Sequence, residues 1–161
     1  MAFFSLNTAA FASSASANAF LTAAMIIGAA GKRARLVHLH VSCAGETAHD
    51  EPMRVRVGKT NQAGAGTAGA SPTPKPTDSA AGVASVLTCG TAYSAEPTTY
   101  DTITTTGCFW EAGFNGRGFL TQNWMPEYAP VINGAQSLGI LIAPSTANAR
   151  KTNVSIIWEE F

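Results

Sequence analysis

The sequence predicts an all-β chain. The expected architecture is an antiparallel β-sandwich of jelly-roll type over residues 18–161, preceded by an extended N-terminal arm over residues 1–17. Three features lead there. Short runs alternate apolar and polar residues with a period of two. Gly, Pro and Asn residues punctuate the chain between them. No stretch sustains the 3.6-residue period of an amphipathic helix. About eight such runs are present, a usual number for a jelly roll. A single domain of 161 residues buries roughly two thirds of its unfolded surface, enough for one core without staples.

The elements follow in order. In residues 1–17, Phe3, Phe4, Leu6 and Phe11 stand without regular period among small and polar residues. Scattered anchors of this kind suit an arm that docks on a neighbour; the alternative is a tail folded back on its own core. Residues 19–27 fit a strand or a short buried helix, because Ala-rich runs suit both. Gly28 and Gly31 then mark a turn. Residues 33–43 alternate, with Val37, Leu39 and Val41 on one face and Leu36, His38 and His40 on the other. Residues 53–59 give the clearest period of two: Met53, Val55 and Val57 face inward, Arg54 and Arg56 outward.

Residues 61–78 read as a long loop. Gly64, Gly66 and Gly69 loosen its first half, and Pro72, Pro74 and Pro76 stiffen the second. A loop of this length in a small domain is either mobile or used for contact. Residues 79–87 fit one or two helical turns or a strand, and residues 88–99 are irregular. Residues 100–111 are Thr-rich and β-branched, which predicts a strand. Residues 113–118 form a glycine turn, and residues 119–124 and 131–133 are short strands. Asn133-Gly134 is a tight-turn signal. Residues 137–143 form an apolar strand stopped by Pro144. Residues 152–159 close the fold, with Val154, Ile156 and Trp158 on one face.

Composition narrows the function. Hydrophobic residues make up 46% of the chain and charged ones only 12%, the reverse of a disordered protein. The surface must therefore be built largely of Ser, Thr, Asn, Gly and Ala. Such a surface desolvates cheaply, because few ions need to be stripped of water. It suits a chain that lives in contact with other subunits; an ordinary polar surface on a free monomer is the plainer alternative. The formal net charge is zero, so nothing draws the chain to nucleic acid or to an anionic membrane. The uncharged N-terminal segment lacks the basic residues of a secretory signal, and polar residues interrupt it too often for a membrane span. Cys43, Cys89 and Cys108 lack zinc spacing and read as reduced thiols.

Candidate chemistry is thin. His38 and His40 place two rings on one strand face, as metal-binding cupins do. Glu46 lies slightly too far along the chain to be the glutamate that follows such a pair, and His49 sits in the same loop region and not on a distant strand, so no metal and no cofactor are expected. There is no G-x-S-x-G turn, and the glycine run at residues 64–69 is not a phosphate-binding loop. Glu159 and Glu160 are adjacent on one strand, so they point to opposite faces and read as a solvated chain end. Trp110, Trp124, Trp158, Tyr93, Tyr100 and Tyr128 suit core or interface packing more than a sugar-binding face. An enzyme is not expected.

Several segments together carry a family likeness. They are the uncharged N-terminal stretch leading to Gly31-Lys32-Arg33-Ala34-Arg35-Leu36-Val37, the segment Ser71-Pro72-Thr73-Pro74-Lys75-Pro76, Glu96-Pro97-Thr98, the apolar strand of residues 138–143, and Val154-Ser155-Ile156-Ile157-Trp158-Glu159-Glu160. In this layout the chain resembles the jelly-roll capsid decoration or cement proteins, and related minor head proteins, of tailed bacteriophages. The likeness spans most of the chain as a pattern; phage tail and fibre proteins share similar layouts. It implies a non-enzymatic virion protein, made in the bacterial host cytoplasm, that binds the outside of the shell. The implied partner is the major capsid protein, and the implied oligomer a trimer. A lectin-like, host-binding tail module is the alternative. On physical grounds, the expected contact residues are Phe3, Phe4, Leu6 and Phe11 in the arm, Pro72, Pro74 and Pro76 in the loop, and Phe161 at the end. A bound trimer multiplies weak contacts of this kind through effective concentration.

Overall fold

A computed structural model describes residues 1–44, 50–61, 66–78, 82–97 and 108–161. Among these residues the regular structure is β throughout. The strands are β1 (Ala2–Asn7), β2 (Phe11–Ala12), β3 (Leu21–Ile27), β4 (Ala34–Cys43), β5 (Pro52–Asn61), β6 (Lys75–Pro76), β7 (Thr88–Thr91), β8 (Trp110–Asn115), β9 (Phe119–Asn123), β10 (Val131–Ile132), β11 (Gln136–Pro144) and β12 (Lys151–Glu160). They form two antiparallel sheets packed face to face. The first runs β10-β4-β12-β1-β6, with β9 also on β4 and β2 also on β12. The second runs β7-β3-β11-β5-β8.

The pairing is nested. β5 pairs with β8, β4 with β9, β3 with β11 and β1 with β12, so each later pair encloses the earlier ones in the chain. Two further ladders, β12 on β4 and β11 on β5, join these pairs into sheets. One core lies between the layers. Phe4, Leu36, Leu39, Val41, Val154, Ile156 and Trp158 enter it from the first sheet. Ala24, Ile26, Met53, Val55, Val57, Leu138, Ile140 and Ile142 enter it from the second. The inward faces expected for β5 and β12 are the ones found, because alternation in an extended strand needs only local geometry.

Several expectations change, among them residues 88–91, which form strand β7 in place of the expected irregular stretch. The N-terminal segment is sheet, not a free arm. β1 pairs with β12 from Ala2↔Glu160 to Asn7↔Ser155, and β2 continues along the same strand. Phe4, Leu6 and Phe11 are buried in the chain's own core. The physical reason is the edge of β12, whose backbone groups need partners; β1 supplies them, and its short alternation turns Phe4 and Leu6 inward.

The stretch at 61–78 is likewise less free than a loop. β5 reaches Asn61, Thr67 and Ala70 bridge to Ala95 and Thr91, and β6 pairs with β1 through Phe4↔Pro76 and Ser5↔Lys75. A proline is tolerated in β6 because it lies at the sheet edge.

In β4 the alternation slips. Ile157 pairs with His38 and Trp158 with Leu36, which leaves Val37 as the extra residue of a bulge. Leu36 therefore joins Leu39 and Val41 inside, and Val37 is displaced from the inner face.

The strand expected at residues 100–111 falls largely outside the described residues. Its described end opens β8, which runs on through Gly113 and turns only at residues 116–118. The Asn133-Gly134 turn forms as expected, with Gln136 N–H donating to Asn133 O at 3.0 Å. It is not a hairpin, however: it carries the chain from β10 in the first sheet to β11 in the second. The corner is tight. A Cβ on Gly28 would lie 2.5 Å from the carbonyl oxygens of Asn133 and Gln136, and one on Gly134 2.5 Å from that of Ala29.

Candidate functional site: the open face of the first sheet

The two outer faces of the sandwich differ. The second sheet's is covered by its own chain. Met25, Thr22, Thr60, Ser137 and Leu141 are buried there. Tyr93 closes over Gly90, where any side chain would collide with its hydroxyl. Glu96 accepts from Thr22 N–H at 2.9 Å and from its hydroxyl at 2.6 Å. Glu111 on β8 receives Arg56 Nε at 2.6 Å and Arg54 Nε at 2.7 Å, both from β5. The Arg56 guanidinium lies 4.0 Å from the Phe20 ring centre. Burial works to raise the Glu111 carboxyl, but the hydrogen bonds and charges of Arg56 and Arg54 outweigh it and hold the group below its ordinary value.

Among the described residues no such cover lies over the middle of the first sheet. Its register sets side chains in rows across four strands: Asn7, Ser155, His40 and Thr121 in one, and Ser5, Ile157, His38 and Asn123 in the next. Asn153, Ser42 and Phe119 extend the face on one side. These positions are half-buried or exposed. Histidine is the only ionisable type in these two rows across β1, β12, β4 and β9; at the borders of the face, Lys75 on β6 stands opposite Ser5 and the next row holds the Arg35–Glu159 pair. His38 Nδ1 lies 2.6 Å from Asn123 Oδ1, His40 Nδ1 lies 3.0 Å from Thr121 Oγ1, and the His40 ring packs 5.4 Å from that of Phe119. The middle of the face is thus polar and hydrogen-bonding, with charge only at its borders. It offers donors and acceptors to a partner with no ion to strip of water.

The residues nominated from sequence separate into two groups. Phe4, Leu6 and Phe11 are inside, so they hold the fold together in place of meeting a partner. Phe3 is 44% exposed and Phe161 40% exposed. The Phe161 ring sits under Arg33 and Arg35, at 5.2 and 5.4 Å. Pro72 and Pro74 are half-buried and Pro76 exposed. Pro72 lines a small pocket of about 120 Å³ against Ser5 and Asn7. The two chain ends and the proline segment therefore meet along one border of the first sheet, a proximity that only the β1–β12 and β1–β6 pairings create.

Glu159 and Glu160 are not a solvated end. Glu159 is 2% and Glu160 8% exposed. Glu159 is paired with Arg35. Glu160 accepts from the Ser85 hydroxyl, from Trp158 Nε1 at 3.1 Å and from Val86 N–H at 3.2 Å. A buried carboxylate persists only with such partners, and here it ties the segment at 82–87 to the end of the sandwich. Beside it opens a groove of about 370 Å³ lined by Met1, Lys32, Val83, Val86 and Phe161.

Cys43, Cys89 and Cys108 are free thiols. Burial, helped by Glu160, pushes Cys89 up to about 12. Burial also raises Cys43, against the lowering effect of Arg150. His38 and His40 face outward, away from the space between the sheets. Glu46 and His49 lie outside the described residues. Among the described residues no group of three or more His, Cys, Asp or Glu side chains gathers to hold a metal ion. None of their helices is long and apolar enough to cross a membrane. The polar members of the face, Ser5, Asn7, Thr121, Asn123, Asn153 and Ser155, were missed in the sequence; their signal is the polar half of each alternating strand. No protein-family model and no curated protein matches the chain.

Proposed function

We propose that the chain is a non-enzymatic adhesive protein of a phage virion, which lays the open face of its first sheet on the major capsid protein and braces the shell from outside. The observation that carries this is the asymmetry of the two faces among the described residues: one is sealed by Tyr93, Phe20 and the Arg54–Glu111–Arg56 network, the other is an open ladder of Asn, Ser, Thr and His with charge only at its borders. A jelly-roll wiring belongs to the same proposal. Its support is the nested order of pairs, which places strands in the sequence β1-β12-β4-β9 in one sheet and β3-β11-β5-β8 in the other, as two interlocked Greek keys require. A homotrimer would hold three such faces on the lattice at once and multiply their weak contacts.

The test puts a charge in the middle of the face. Ser155→Lys is expected to abolish co-sedimentation with purified capsids while leaving the circular dichroism spectrum unchanged. Thr88→Lys, at an exposed position of the second sheet, is expected to bind as the unmodified chain does. Full occupancy by Ser155→Lys would end the proposal. A second reading, a host-binding tail module, is favoured by Phe119, which is 68% exposed, opposite Ser42 and beside His40 and Thr121. An aromatic ring flanked by imidazole and hydroxyl groups is a chemistry that grips a sugar. Binding to a glycan array that Phe119→Ala abolishes would support it, and a blank array would count against it.

A further inference from the structure

His38 and His40 stand two residues apart on β4. Their Cα atoms are therefore roughly 6.5 Å apart, and both side chains leave the same side of the sheet. Asn123 Oδ1 can only accept, so the His38 Nδ1 at 2.6 Å carries the proton. The His40 Nδ1 lies 3.0 Å from the Thr121 hydroxyl, which can accept from it or donate to it. Both rings are thus oriented through Nδ1; Nε2 of His38 is left as a ligating nitrogen, and Nε2 of His40 is one when Thr121 accepts. A hydrogen bond from one ring nitrogen to an oxygen is also how metal-binding histidines are held.

We propose that His38 and His40 form a two-nitrogen site for a borderline transition-metal dication, Cu²⁺, Ni²⁺ or Zn²⁺, on the open face of the first sheet. Imidazole suits these ions. The neighbours in register, Ser155, Ile157, Thr121 and Asn123, include no carboxylate, so the site lacks the anionic oxygen ligands on which Ca²⁺ and Mg²⁺ binding depends. Two protein nitrogens leave the other coordination positions to water or to a donor from outside. The site stands whether or not the face docks on a capsid.

The test uses the full chain. Zn²⁺ is titrated into ¹⁵N-labelled protein and followed through the histidine side-chain resonances; Cu²⁺ is followed by electron paramagnetic resonance. The His38 and His40 Nε2 signals are expected to shift together and saturate at one equivalent, with the His38 Nδ1 proton retained. His38→Ala and His40→Ala should each weaken binding at least about tenfold, and Asn123→Ala about 10- to 100-fold, as loss of an orienting partner does. His49→Ala should leave affinity unchanged, and Ca²⁺ and Mg²⁺ should shift nothing. Wild-type Zn²⁺ affinity in a folded His38→Ala, His40→Ala double variant would overturn the site, as would shifts confined to His49 or the cysteines.

Discussion

At the residue scale, two adjacent phenylalanines have opposite fates. Phe4 is fully buried, with its ring 6.1 Å from that of Trp158, while Phe3 is 44% exposed on the outer face. Phe4→Ala should cost about 3–5 kcal/mol, the range for deleting a large core side chain, and Phe3→Ala less than about 1 kcal/mol. Urea midpoints of the two variants check this; equal losses would mean that β1 is not seated as described. Glu111 supplies a second residue-scale prediction. Its folded-state pKa lies below its ordinary value, so its stabilising effect is fully present above the ordinary Glu range and is lost as pH falls through the folded value. Glu51, held low chiefly by its hydrogen bond from Arg150, acts in the same direction. Stability should therefore fall on acidification below about pH 4.5, and Glu111→Gln should flatten that slope. An unchanged slope would remove the Arg54–Glu111–Arg56 network from the account.

At the scale of the element, β1 decides whether the N-terminus is an accessory or part of the fold. Deleting residues 2–7 uncovers the edge of β12 and empties the places of Phe4 and Leu6. The two lost side chains alone cost about 5–10 kcal/mol by the ranges for single core truncations, comparable with the whole stability of a small domain. The truncated chain is expected to lose its near-ultraviolet circular dichroism and its cooperative unfolding. A folded truncation that merely failed to bind capsids would restore the segment as a docking arm. The bulge at Val37 shows how far one element can be read alone. Alternation along residues 33–43 is legible in the sequence, yet its phase changes within the strand. Nothing local to Leu36 or Val37 reveals that, because the bulge exists only against β12.

At the scale of the molecule, the accessible surface of 7755 Å² is close to the roughly 7,600 Å² expected of a free monomer of this mass. The chain as a whole therefore exposes no more surface than a folded monomer of its mass, and the polar rows in the middle of the first sheet's open face would make polar contacts. The nested pairing also sets the folding rate. The outermost pair joins residues 2–7 to residues 155–160, so nearly the whole chain must close before that ladder forms. Refolding monitored by tryptophan fluorescence, with Trp158 buried at this pair, should fall in roughly the millisecond-to-second range of non-local β folds. Microsecond refolding would mean that these long-range pairs do not limit the rate.

The sequence by itself determined that the chain is β, where most strands lie, and which side chains of β5 and β12 enter the core. Each of these rests on a period of two that any extended strand imposes within a few residues. It also determined that the surface would be poor in charge. Tertiary structure alone decided that Phe4, Leu6 and Phe11 belong to the core, that Glu159 and Glu160 are buried, and that one sheet face is sealed while the other stays open. Those outcomes depend on partners such as Trp158, Arg35, Ser85 and Tyr93. Apart from Trp158, which lies two residues from Glu160 yet far from Phe4, each is far along the chain, and no local pattern encodes which distant strand will supply a hydrogen bond or cover a face.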